Sequence, residues 1–169
     1  KNNMQLVSIS DGRKVRINKY THNNKTTASG QEISGPNNVA SNGVLHVTTG
    51  VMCSMYKGSA IYEIGRCPSF SVLVKFIAEA KLRKYLDSTN PLTLFAPTNK
   101  AFQKLDPAFM KELSSNVTLL KEVLLYHVVP DVWYTAGMYD KQQLKTLQGG
   151  KISVSFSNIV YVNNATVVL

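Results

Sequence analysis

The residues that could do chemistry are few and lie far apart in the sequence. The three histidines are His22, His46 and His127, and His127 directly follows Tyr126. A histidine acts as a general base when a serine, a cysteine or a carboxylate lies within hydrogen-bonding reach. The sequence places no such group beside His127, so we expect a buried structural ring that bonds to the backbone. The scattered histidines show no metal-ligand spacing, and we predict neither a metal site nor a cofactor.

Cysteines and glycosylation sequons indicate an oxidising compartment. Cys53 and Cys67 lie fourteen residues apart (67 minus 53), which is not a metal-ligand pattern. Three Asn-x-Ser/Thr sequons, the acceptors for N-linked glycans, begin at Asn24, Asn116 and Asn164. Together they favour the secretory route, where the cysteine pair would close as a disulfide. Two unpaired thiols are the open alternative.

The chain is basic, with 19 lysines and arginines against 10 acidic residues and a net charge of +9. A basic surface attracts nucleic acids, anionic glycans or acidic membranes, although it is most simply a solvated face. The sequence has no zinc-finger spacing and no aromatic RNA-binding signature, so we expect no nucleic-acid partner. It also has no apolar run near the roughly 18 residues of a membrane helix, so we expect no direct membrane insertion. The densest basic cluster consists of Arg13, Lys14, Arg16 and Lys19.

Strand-like and helix-like patterns alternate along the chain and predict an α+β fold. Alternating apolar residues around the Asp11-Gly12 turn predict a hairpin, and the polar stretch that follows is typical of a loop. An apolar stripe at helical spacing predicts a helix that Ser69 caps. Three further helices are predicted to start at Thr98 with Asn99, at Asp106-Pro107 and at Asn116. The predicted elements are a hairpin over 6–20, mainly loop over 21–38 with Ile33 as a candidate strand fragment, a buried strand over 43–52, a helix from 69, a strand over 92–96, three helices that end before Pro130, and strands over 132–169.

The chain also contains a faint internal repeat. Residues 7–10 resemble residues 152–155 at an offset of 145 (152 minus 7), and the same offset aligns 15–18 with 160–163. An offset of this size is a plausible domain period. It predicts that residues 1–52 are the C-terminal part of one repeat, 53–59 a linker, and 60–169 the N-terminal part of the next.

Four segments, in order along the chain, resemble the boxes of fasciclin domains. Each is short, but several in register are far more specific than one. They are residues 93–102 (TLFAPTNKAF) for the first signature box, 124–129 (LLYHVV) for the Tyr-His segment, 147–152 with 160–163 for the middle hairpin, and 40–47 (ASNGVLHV) for the closing box of the preceding repeat. The resemblance implies a β-sandwich wedge with packed helices, here incomplete at both ends.

The same resemblance implies an extracellular protein, secreted to the matrix or held at the cell surface. Such proteins act in tandem copies in adhesion and matrix scaffolding, and integrins, collagens and other matrix components are their partners. The Tyr-His segment has been proposed to contact integrins, which places that role on Tyr126 and His127. A second integrin motif uses an acidic residue, and Asn37 and Asn38 stand at its positions here. That motif is therefore in doubt, because carboxylate oxygen is what meets a hard divalent cation.

Two other functions compete with adhesion. A module that binds glycosaminoglycans would use Arg13, Lys14, Arg16 and Lys19 as a basic strip on the predicted hairpin. An enzyme would need converging acid, base and nucleophile groups, and no motif supplies them. We therefore expect a non-enzymatic binding module.

The two partial repeats can relate in two ways. In one, residues 43–52 act as the closing strand of the 60–169 region, with Leu45 and Val47 in its core beside Leu94 and Phe95. In the other, two incomplete repeats lie side by side.

Overall fold

The computed structural model describes residues 2–7 (backbone only), 14–52, 58–88, 91–157 and 159–167. The chain divides into two compact units. The first comprises Lys1–Lys57 with Trp133–Asp140, and the second comprises Gly58–Val132 with Lys141–Leu169. The boundary at residue 57 falls within the predicted linker. Residues 133–140 belong to the first unit although they are distant from its other residues in sequence.

The first unit is built on a five-stranded antiparallel sheet whose strands follow chain order. The predicted hairpin is confirmed, because its first two strands pair from Asn2 with Lys19 to Val7 with Lys14. Its predicted turn lies outside the described residues. The strands are β1 (Asn2–Val7), β2 (Lys14–Tyr20), β3 (Lys25–Ala28), β4 (Gln31–Ala40) and β5 (Gly43–Thr48). A short 3₁₀ turn, Thr135–Gly137, completes the described elements of this unit.

The predicted loop over residues 21–38 is wrong apart from the strand fragment at Ile33, because β3 and most of β4 lie there. Pro36, which cannot donate a ladder hydrogen bond, lies within the second of two register irregularities, between Gly35 and Asn38. Prolines are tolerated within strands at such bulges. Because this stretch is polar, its composition does not indicate strand β4, whose pairing is set by the neighbouring strands β3 and β5.

Strand β5 is confirmed as a strand but its predicted burial is wrong. It pairs with β4, and its side chains Val44, Leu45 and Val47 are 55%, 61% and 47% exposed. Leu45 and Val47 belong to the first unit, and the hypothesis that they fill the core of the 60–169 region stays a prediction.

The second unit combines six helices with short strands in the part of the chain that the structure describes. Most residues of its core lie on helices, and the rings of Phe76 and Phe102 meet edge to face with centroids 5.4 Å apart. The helices are α1 (Ala60–Gly65), α2 (Ser71–Glu79), α3 (Arg83–Ser88), α4 (Asn99–Gln103), α5 (Pro107–Ser115) and α6 (Val117–Tyr126). No described helix has the length and apolar character needed to cross a bilayer.

The strands of this unit are all antiparallel. They are β6 (Leu92–Leu94), which pairs with β7 (Val128–Pro130), and a four-stranded sheet in the order β11-β10-β9-β8. The strands of that sheet are β8 (Gln142–Lys145), β9 (Lys151–Phe156), β10 (Val160–Val162) and β11 (Ala165–Thr166). The α+β class predicted from sequence is confirmed.

Local side-chain chemistry starts the helices that carry the signature residues. Thr98 accepts a hydrogen bond from the Ala101 amide at the start of α4. Asp106 caps α5, where Pro107 takes the first helical position, and Asn116 caps α6. These starts agree with the sequence prediction. The predicted cap Ser69 instead lies in a 3₁₀ turn before α2.

Candidate functional site

Tyr126, the last residue of α6, is a junction between three elements. Its half-buried phenol donates a hydrogen bond to the Lys151 carbonyl at 2.9 Å and accepts one from Asn163 Nδ2 at 3.2 Å. Asn163 has a φ of 52° in the turn after β10, and its Oδ1 accepts from the Ser153 amide at 2.9 Å. The phenol thus connects α6 to β9 and to the β10–β11 turn.

His127 forms the C-cap of α6 and bonds to the backbone of the same helix. Its Nδ1 lies 2.7 Å from the Val123 carbonyl oxygen. Because a carbonyl oxygen only accepts, Nδ1 carries the proton and donates. The His127 carbonyl accepts from the Phe95 amide at 2.9 Å, which extends the β6–β7 pairing. The expected backbone bond is present, although the ring is half-buried rather than buried.

Asn99 is a structural residue of the signature box that sequence reasoning missed. Its Oδ1 accepts from the Val72 amide at 3.0 Å, which satisfies a free donor at the start of α2. Its Nδ2 donates to the Pro68 carbonyl and to Ser71 Oγ, both at 3.0 Å. The sequence indicates Asn99 only as a local cap for α4, whereas its partners lie about 30 residues earlier, at separations of 27, 31 and 28.

The basic cluster does not form a single strip in the described residues. Side chains alternate between the two faces of a strand, so Lys14 and Arg16 share a face of β2 and Lys19 lies on the other. The face of Lys14 and Arg16 continues into Asn18 and Tyr20, which are both fully buried. Arg13, the fourth predicted residue, lies outside the described residues.

The three sequon asparagines are exposed. Asn24 lies in the turn between β2 and β3 with a φ of 55°, and Asn164 lies in the turn between β10 and β11. Asn116 caps α6, where its Oδ1 accepts from the Thr118 and Leu119 amides at 3.1 Å each. All three can be reached from solvent, so glycosylation stays a prediction that the structure permits.

The described residues include only one of the two cysteines of the predicted disulfide. Cys67 is an exposed free thiol. Cys53 lies outside the described residues, and the pairing stays a prediction.

The first unit contains an aromatic cluster that the sequence did not reveal. Tyr20 is fully buried, and its hydroxyl accepts a hydrogen bond from the Tyr134 amide at 3.2 Å. Gly137 lies directly against the Tyr20 ring, where an added Cβ would come within 2.2 Å of ring carbons. Burial raises the pKa of Tyr20. Burial also raises the pKa of Tyr134, while the charge of Arg16 acts in the opposite direction.

The cluster continues toward solvent through His22 and Tyr139. The centroids of these rings lie 4.2 Å apart, and the Trp133 ring lies 6.3 Å from His22 and 5.8 Å from Tyr20. His22 is exposed and Tyr139 is 42% exposed. These residues come together because 133–140 packs with β2 and β3 inside the first unit.

Comparison with known proteins identifies the family. The model of the fasciclin domain matches residues 68–169. The chain belongs to the fasciclin domain family. The rabbit (Oryctolagus cuniculus) transforming growth factor-beta-induced protein ig-h3 is 39% identical to this fasciclin chain over 99 residues, which are 58% of this chain and 14% of the relative. Human periostin is 26% identical over 178 residues, which cover 99% of this chain and 21% of periostin.

A solved structure has the same fold as this fasciclin chain. It is a FAS1 domain pair from the insect cell adhesion molecule Fasciclin I, with a TM-score of 0.54 and 17% sequence identity. The match covers 97% of this chain and 58% of that one. The chain therefore spans only a part of each of these relatives.

Proposed function

We propose that this chain is an extracellular adhesion and matrix-scaffolding module that acts by binding other proteins and not by catalysis. The observation that carries the proposal is its membership of the fasciclin domain family. The fold match to a domain pair from an insect cell adhesion molecule supports it. Matrix proteins and cell-surface receptors such as integrins are the proposed partners.

The proposed domain arrangement has residues 1–52 as the end of one repeat, 53–59 as the linker and 60–169 as the start of the next. The exposed apolar side chains of the β4–β5 hairpin support it. An apolar surface of this kind is typical of a contact face. In the proposed arrangement it packs against the N-terminal part of its own repeat. The exposed residues of the hairpin are Val39, Val44, Leu45 and Val47, and the exposed Val51 follows β5.

Tyr126 and His127 are the residues on which the resemblance places a receptor contact. We assign them first to the fold, because the Tyr126 hydroxyl and His127 Nδ1 are both used inside the second unit. In this proposal, substitution of either residue changes cell attachment indirectly, because it alters the conformation at the C-terminal end of α6.

Glycosaminoglycan binding is the second candidate function. The basic residues that favour it are Lys14, Arg16 and Lys19, but strand alternation puts Lys19 on the opposite face. A polyanion that follows one face of β2 therefore meets fewer charges than a single strip would offer. This division favours protein binding over glycan binding.

Binding to immobilised partners distinguishes the two candidates. The purified chain is passed over immobilised collagen, an integrin ectodomain and heparin at salt concentrations of about 50 mM and about 200 mM. Over this range, binding that depends on counterion release weakens measurably. Adhesion predicts saturable binding to a protein surface that changes little with salt. Binding to heparin alone, with a steep loss at the higher salt, would contradict adhesion and support glycosaminoglycan binding. The matched control is Lys14→Gln with Arg16→Gln, which lowers heparin binding and leaves protein binding unchanged.

A further inference from the structure

An exposed aromatic pair stands beside a glycosylation sequon in the first unit. The pair consists of His22 and Tyr139, with ring centroids 4.2 Å apart and an interplanar angle of 38°. Trp133 adds a third ring 6.3 Å from His22. An aromatic surface that stays in contact with water is available to a further apolar group.

The sequon lies on the same turn as His22. Tyr20 pairs with Lys25, so residues 21–24 form the turn between β2 and β3. Within it, Asn24 follows His22 by two residues, which keeps their Cα atoms within about 7 Å of each other. Asn24 takes the left-handed conformation, with a φ of 55°, that asparagine tolerates better than most residues.

The turn geometry is held by a local side-chain bond. Asn23 Oδ1 accepts from the Lys25 amide at 3.2 Å. Thr26, the third residue of the sequon, pairs across the strands with Lys19. His22 and Asn24 therefore lie two residues apart in the turn at one end of the hairpin, while Thr26 lies on the return strand, on the face that Lys19 occupies.

The chemistry of a glycan suits this surface. An N-acetylglucosamine ring has an apolar face of C–H groups, and its hydroxyls lie around the edge. Aromatic rings receive such C–H groups on their π face, while the hydroxyls stay in water. A sugar attached to Asn24 also begins close to the rings, so little translational entropy is lost when it packs there.

We propose that the first N-acetylglucosamine on Asn24 packs on the His22–Tyr139 pair and becomes a structural part of the first unit. This inference rests on the secretory location in the proposed function but not on adhesion. The Asn116 sequon is a natural comparator, since residues 114–118 contain no aromatic residue.

The test is a cycle that combines glycan removal with substitution of Tyr139. The full chain is secreted from eukaryotic cells as wild type, Tyr139→Ala and Tyr139→Phe, and occupancy of Asn24 is measured by mass spectrometry. Each protein is melted before and after native treatment with an amidase that removes N-linked glycans. The amidase converts the asparagine to aspartate in every background, so that change cancels in the cycle.

Glycan removal should lower the melting temperature of the wild type by roughly 2–5 °C, the shift expected from one aromatic contact in a domain of this size. The same loss is expected in Tyr139→Phe, which keeps the ring, and no loss in Tyr139→Ala. Asn116→Gln should leave these differences unchanged. Equal losses in all three backgrounds, or a secreted chain whose Asn24 carries no glycan, would overturn the inference. Neither result bears on adhesion, which is measured separately by attachment.

Discussion

Asn163 Nδ2 donates a hydrogen bond of 3.2 Å to the hydroxyl of Tyr126, 37 residues earlier in the chain. The same hydroxyl donates to the Lys151 carbonyl at 2.9 Å. One phenol oxygen thus joins the end of α6 to the sheet of the second unit. Tyr126 of the Tyr-His segment therefore has a structural role in the second unit.

Removal of the Tyr126 hydroxyl should destabilise the chain while keeping its packing. Tyr126→Phe leaves Asn163 Nδ2 and the Lys151 carbonyl without this partner, at a cost of about 0.5–1.5 kcal/mol because the site is partly solvated. Urea denaturation measures the change. The matched control is Tyr62→Phe, since Tyr62 is 53% exposed. Equal stability of the two variants would show that the junction has no energetic role.

His127→Ala should cost about 1–3 kcal/mol, because it removes the donor to the Val123 carbonyl at the end of α6. Thermal melting and cell attachment are measured on the same preparation. Attachment should fall only as far as the folded fraction falls. A variant that keeps its melting temperature and loses attachment would show that His127 contacts the partner directly.

Asn99→Ala should be among the more harmful single substitutions in the second unit, at about 2 kcal/mol. It removes the acceptor for the Val72 amide and two donors, to Pro68 and Ser71. Asn99→Asp keeps the acceptor and should lose roughly half as much. Gln103→Ala, on the exposed side of α4, is the control and should change the urea midpoint little. A ranking in which Asn99→Asp is as damaging as Asn99→Ala would contradict the importance of the Val72 bond.

Gly137→Ala should disturb the first unit selectively. The added Cβ would come within 2.2 Å of the Tyr20 ring, and such overpacking costs about 1–3 kcal/mol. Trp133 is the chain's single tryptophan and lies 5.8 Å from Tyr20, so its fluorescence reports on this packing directly. Gly65→Ala is the control, since nothing lies within 4 Å of its added Cβ. Unchanged fluorescence and stability in Gly137→Ala would show that residues 133–140 do not pack on Tyr20.

Local signals predicted the parts of the fold that depend on local chemistry. Thr98, Asp106 and Asn116 could be recognised as helix caps because a cap bonds to amides two or three residues ahead. The role of Asn99 could not, because its partners lie 27 to 31 residues away. The first signature box contains Asn99, but the sequence of the box does not indicate which groups the Asn99 side chain bonds to.

Longer-range pairing decided the features that the sequence did not predict. Strand β4 is polar and contains Pro36, and beyond the fragment at Ile33 it is recognisable only through its partners β3 and β5. The contact of Tyr20 with the Tyr134 amide spans 114 residues, and no periodicity records such a distance. The exposure of Leu45 and Val47 was likewise hidden, because an apolar strand looks the same in sequence whether or not its partner surface is present.

Cell attachment tests the central claim most directly. The glycosylated chain is coated on a surface and the number of attached cells is counted, with heat-unfolded chain and albumin as controls. Adhesion predicts attachment well above both controls that is lost when divalent cations are chelated, as integrin binding requires. Attachment no greater than on albumin, or attachment that only soluble heparin abolishes, would contradict the proposed function.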